Sequence, residues 1–152
     1  MKRKPTNLKE IIEYAIAKEK VAHALYLNAS KEASLPSNRQ LLTKLAEMEA
    51  AHAEKLEKLD PTGLTTLSSK LAEDLHIAEF LEDVELDANA DFQSILIYAM
   101  KREEKSRDFY ETISKVCEDE KAKKLFAALA DEEKEHKRSL ELIYDEEILR
   151  ED

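Results

Sequence analysis

The chain has 152 residues, one Gly, three Pro and a formal net charge of −10, with 38% of its residues charged. That balance argues against nucleic acid as a partner, because phosphate backbones are bound by excess Lys and Arg, and the one basic cluster here is Lys2, Arg3 and Lys4. A single cysteine, Cys117, excludes an internal disulfide and any four-cysteine metal site. No apolar run is long enough to span a bilayer and no leader is visible, so a soluble, cytoplasmic protein without a membrane partner is expected.

Such a length buries roughly two-thirds of the unfolded surface, enough for one domain over residues 1–152. With so many charges, apolar surface is buried best by stripes on helices whose outer faces are charged. Four periodic segments answer to that. The first runs from about Leu8 to Ser34, opened by Asn7 and Glu10 at capping-box spacing. Leu35-Pro36-Ser37 interrupts it, and Ser37 with Gln40 offers a second capping box for a helix ending near Leu59. Asp60-Pro61-Thr62-Gly63 is a strong stop. The third segment runs from about Asp91 to Val116 and the fourth from Asp119 to Glu147.

Short turns join the members of each pair, giving helical hairpins at 8–59 and 91–147. Residues 60–90 between them suffice to travel the length of a bundle, and Leu71, Leu75, Phe80 and Leu81 predict a short amphipathic helix on the way. The expected architecture is all-α: an antiparallel four-helix bundle with one long crossover between helices 2 and 3, as in ferritin-like folds.

The two hairpins repeat each other at a constant offset of 84 residues. Tyr14 falls on Tyr98, Glu19 on Glu103, Tyr26 on Tyr110, Glu49 on Glu133 and His52 on His136. An offset held across two helices and a turn implies two similar units about a pseudo-two-fold axis.

Ionisable residues interrupt all four apolar stripes. Helix 1 presents Leu8, Ile12, Ala15, Glu19, Ala22 and Tyr26 at alternating steps of four and three; helix 2 presents Leu42, Leu45, Glu49, His52 and Leu56. Helix 3 follows with Phe92, Leu96, Ala99, Glu103, Ser106 and Tyr110, and helix 4 with Phe126, Leu129, Glu133, His136, Leu140 and Ile143. Four carboxylates facing one another in an apolar core repel, and each loses its hydration. Two divalent cations would balance their charge. Carboxylate with imidazole suits Fe, Mn or Zn, and Glu three residues before His puts both on one helix face. One Glu from each of two helices plus Glu-x-x-His from the other two is the donor set of di-iron and di-manganese bundles.

Other candidates are weaker. Glu73 and His76 share the spacing but have no counterpart at the offset, so they read as a surface pair. His23 lies one turn after Glu19, with Arg107 as its counterpart, and is expected beside the ligands or at the surface. Tyr26 and Tyr110 read as core aromatics whose hydroxyls bond nearby polar groups.

The segments AIAKEKVAHALY with LAEMEAAHAEKL, and AMKREEKSRDFY with LADEEKEHKRSL, resemble the rubrerythrin branch of the ferritin-like superfamily. The resemblance covers all four helices. It implies two iron ions bridged by Glu49 and Glu133, completed by Glu19 with His52 at one end and Glu103 with His136 at the other. It also implies a peroxidase that reduces hydrogen peroxide, or an oxidase acting on dioxygen; with no fifth helix of the kind many ferritins carry, a homodimer rather than a cage is expected. Two departures bear on this. Ser106 stands where such proteins carry a further glutamate, and no rubredoxin-like cysteine pairs accompany the bundle, so electrons would come from a separate donor such as rubredoxin. An iron-oxidising or iron-buffering protein without turnover, and an interaction module holding a redox-inert metal, are the alternatives.

Overall fold

The computed structural model describes residues 8–59 and 86–149. Four helices account for most of them: α1 (Leu8–Ser30), α2 (Pro36–Glu57), α3 (Phe92–Val116) and α4 (Glu120–Tyr144), with a turn of π-helix at Asp145–Leu149. The expected crossover helix, the Glu73/His76 pair and the cap residue Asn7 lie outside the described residues.

Among the described residues the core falls into two apolar plugs. One joins Ile11, Ile12 and Ala15 of α1 to Leu56 of α2, Phe109, Tyr110 and Ile113 of α3, and Phe126 and Leu129 of α4. The other joins Ala22, Tyr26 and Ala29 of α1 to Leu42, Leu45 and Ala46 of α2, Leu96 and Ala99 of α3, and Leu140 and Ile143 of α4. The start of α1 therefore lies with the end of α2, the end of α3 and the start of α4. Each hairpin is antiparallel, α2 runs parallel to α3, and α2 ends at the opposite end of the bundle from where α3 begins. This is an all-α, ferritin-like four-helix bundle. Between the plugs lies one polar layer.

The helix ends show where the two hairpins part company. α3 is capped by Asp91, whose carboxylate accepts from the Ser94 amide at 2.8 Å. α4 is capped by Asp119, which accepts from Ala122 at 2.9 Å. α2 departs from the expected Ser37/Gln40 capping box: its cap residue is Leu35, which offers no side-chain bond, and Pro36 opens the first turn. Proline suits that place because its fixed φ is helical and its missing N–H would have had no partner there.

The segment leading into α2 is instead tied to the far end of the chain. Glu147, on the π-turn, is buried and accepts from the Ser34 amide at 2.6 Å, the Ser34 hydroxyl at 2.7 Å and Asn38 Nδ2 at 2.8 Å. α1 also stops earlier than its periodicity suggests, at Ser30, with Lys31 and Glu32 in a turn.

Candidate metal centre

The stripe positions converge as their spacing requires. Glu19, Glu49, His52, Glu103, Glu133 and His136 are all buried, at 2% exposure or less, in the layer between the plugs. The rings of His52 and His136 stack with centroids 5.6 Å apart, one from each hairpin. His52 Nδ1 lies 3.0 Å from Glu133 Oε1, 3.3 Å from Glu19 Oε2 and 3.4 Å from Glu49 Oε1. His136 Nδ1 lies 2.9 Å from Glu49 Oε1, 3.5 Å from Glu133 Oε1 and 3.7 Å from Glu103 Oε2. Each imidazole thus turns the same nitrogen toward a carboxylate of the other hairpin.

The two tyrosines cross between hairpins in the same way. Tyr110 of α3 donates to Glu19 Oε1 of α1 at 2.9 Å, and Tyr26 of α1 donates to Glu103 Oε1 of α3. Both hydroxyls are held protonated well above the usual phenol range, by burial first and then by the neighbouring carboxylates. His23 takes no part: its Nδ1 bonds the Ala46 carbonyl on α2 at 2.8 Å. Ser106 is half-buried on α3.

Two residues of the layer escape a reading by stripes. Arg102, on the flank of α3, curls inward until its guanidinium meets all four glutamates. It lies 3.1 Å from Glu49 Oε2, 3.1 Å from Glu103 Oε1, 3.5 Å from Glu19 Oε1 and 3.7 Å from Glu133 Oε2, with 11% of its side chain exposed. Glu132, on α4, accepts a hydrogen bond from His52 Nε2 at 2.9 Å. That bond fixes the orientation of the ring and leaves Nδ1 as the nitrogen that faces the carboxylates. The available signal was a local break in the repeat: Glu132 has Met48 as its counterpart and Arg102 has Lys18, whose ammonium lies over the Tyr14 ring.

The charges are shared unevenly. Burial, reinforced by Glu49, pushes the Glu19 carboxyl up to about 7. Burial and the charges of Glu103, Glu19 and Glu49 drive Glu133 well above the usual range. Glu49 is shifted the other way: burial is outweighed by Arg102 and His136, which hold it well below the ordinary value. His136 is lifted to about 10 against its burial, by Glu103 and Glu49.

The donor set fits metal. Among the described residues three groups of side chains bring one ligand atom each to within 4.8 Å of one another: Glu19, Glu49, His52 and Glu133; Glu49, Glu103, Glu133 and His136; and Glu49, His52 and His136. Both oxygens of Glu49 and of Glu133, Glu103 Oε2 and both ring nitrogens of His136 are buried without a hydrogen bond. Atoms of this kind are costly to bury unless a cation or a donor answers them.

A bundle of this topology, with a buried layer of glutamates and histidines on all four helices, defines a ferritin-like carboxylate protein able to bind metal. The chain belongs to the rubrerythrin family, whose model matches residues 10–144. No curated protein and no solved structure matches it.

Proposed function

We propose that the protein is a non-haem di-iron oxidoreductase that reduces hydrogen peroxide, or failing that dioxygen, with electrons from a separate carrier such as rubredoxin. One observation carries the reading: the two four-membered ligand groups share Glu49 and Glu133 and differ in the rest, and a third group of Glu49, His52 and His136 joins the two ends. In that arrangement Glu49 and Glu133 would be shared by the two ions, with Glu19 and His52 holding one and Glu103 and His136 the other. A pair of ferrous ions held there would supply the two electrons that reduction of an O–O bond requires.

The protein's own residues do the rest. Tyr110 and Tyr26 each fix a terminal carboxylate from the opposite hairpin, so the hairpins are held in register at the layer. Glu132 orients His52 from a side chain that is 37% exposed, which gives the layer a polar connection toward solvent. Reduction of one peroxide to two waters consumes two protons as well as two electrons, and such a connection is where protons enter. The apolar plugs above and below keep bulk water from the layer.

Ser106 favours a second reading. With a serine at that place the metal layer has no spare carboxylate on α3, and the site would oxidise or buffer iron without turnover. The test begins with anaerobic Fe(II) loading and metal analysis of the wild type and of Glu49→Ala/Glu133→Ala. Two irons per chain, lost in the double variant and oxidised by peroxide faster than by dioxygen, support the peroxidase. Sustained peroxide consumption with reduced rubredoxin separates it from buffering. Binding of less than one metal per chain, unchanged in the variant, overturns the metal reading altogether.

A further inference from the structure

The pseudo-two-fold symmetry of the layer is broken at two places, and both breaks discriminate between its ends. The guanidinium of Arg102 makes its two 3.1 Å contacts with Glu49 and Glu103, whereas Glu19, the carboxylate private to the His52 end, lies at 3.5 Å. Arg102 therefore leans on the end built from Glu103 and His136. On the other side, His52 has its outer nitrogen fixed by Glu132. His136, with Met48 at the corresponding place, has no hydrogen bond on its outer nitrogen, Nε2.

We propose that Arg102 and Glu132 make the two metal positions unequal: the His52 end fills first, and the His136 end fills only when the Arg102 guanidinium withdraws. The inference rests on the reading of these carboxylates as metal ligands. Charge supplies the reason. One divalent cation plus the guanidinium places +3 against the four carboxylates, an arrangement the layer tolerates. Two divalent cations plus the guanidinium place +5 against those four; the further carboxylate, Glu132, is 37% exposed and bonds the outer nitrogen of His52, so the excess positive charge falls at the buried His136 end. The second cation and Arg102 also compete for the same carboxylates, since all four take part in both the guanidinium contacts and the ligand groups. Glu132 acts in the opposite sense at the other end. A carboxylate on the outer nitrogen fixes the imidazole's tautomer and makes it a stronger donor.

The test is a titration of chelator-stripped protein with Co(II), whose visible absorption reports each site and which does not turn over. The wild type is expected to bind in two steps at least about ten-fold apart, and Arg102→Gln to tighten the weaker step by about ten-fold while leaving the tighter one in place. Glu132→Ala is expected to weaken the tighter step alone, by about ten-fold or more. Melting gives a second readout: Arg102→Gln lowers the melting temperature of the stripped protein and leaves that of the fully loaded protein unchanged. Arg102→Lys keeps a cation in the layer with a single point of contact, and serves the same titration if the glutamine variant does not fold. Two equal steps in the wild type overturn the proposal. So does a weakening of both steps in Arg102→Gln, which would make the guanidinium an orienting group. No Co(II) binding to either protein would instead defeat the metal reading on which the proposal stands.

Discussion

Tyr26 and Tyr110 occupy apolar stripes, and both are fully enclosed, yet each spends its hydroxyl on a carboxylate of the opposite hairpin. A hydrogen bond from a neutral donor to a charged acceptor contributes about 1.5–3 kcal/mol. Removing the hydroxyl while keeping the ring leaves packing nearly intact and frees one carboxylate oxygen. Tyr110→Phe is therefore expected to melt lower and to bind metal roughly ten-fold more weakly, because partners that orient ligands carry that much affinity. Tyr26→Phe should behave alike at the Glu103 end. Equilibrium metal titration of the two variants checks this, and unchanged affinities in both would reduce the tyrosines to core aromatics. Their position was legible from the stripe. Their crossed partners were not, because stripes fix which face a residue occupies and leave open which opposing side chain it meets.

At the scale of elements, the Glu147 carboxylate ties the end of the chain to the start of α2. Its pKa is lowered: burial alone would raise it, but the Ser34 amide and hydroxyl and Asn38 outweigh that. A carboxylate with a depressed folded pKa contributes stability that is present above its unfolded value, here 4.5, and is lost as pH falls through the folded value. Glu147→Gln should cost about 1–3 kcal/mol near neutral pH, and the gap to the wild type should close below pH 4.5. Chemical denaturation at several pH values measures it; a gap that persists undiminished in acid would remove the carboxylate from the argument. This contact also shows why local spacing misplaces the start of α2. Ser37 and Gln40 have the local spacing of a capping box, but Pro36 already opens the helix, and the carboxylate that fixes the approach to it, at Ser34, arrives from 113 residues away. Asp91 and Asp119, by contrast, were placed at the helix starts by sequence because their caps are local. Arg102 fails for a related reason. Its backbone lies on a flank, and only the length of its side chain brings the charge into the layer.

For the molecule as a whole, the layer opposes folding unless it is answered by positive charge. The four stripes, their ionisable interruptions and the 84-residue offset all followed from alternation and periodicity, which is why the bundle and the meeting of six side chains could be read without coordinates. What periodicity omits is the energetic sign of that meeting. Glu19 is raised from 4.5 to about 7 and Glu133 well above its ordinary value, so the folded protein without metal holds protons that the unfolded chain has released. Stability then falls as pH rises from 4.5 toward about 7, opposite in sign to the contribution of Glu147. Bound divalent cations keep the carboxylates ionised in the folded state and abolish that slope. Melting temperatures taken across this range, with chelator and with saturating metal, are expected to diverge as pH rises, the stripped protein losing stability while the loaded one does not. Glu133→Met sharpens the test. It removes the carboxylate that burial and three neighbouring glutamates most disfavour, at nearly constant volume. The stripped variant should be more stable than stripped wild type near neutral pH, by about 1–4 kcal/mol, and should gain nothing from metal. A stripped variant less stable than its parent would mean that Glu133 supports the bundle through Arg102 and His52, and that the layer is a structural ion network.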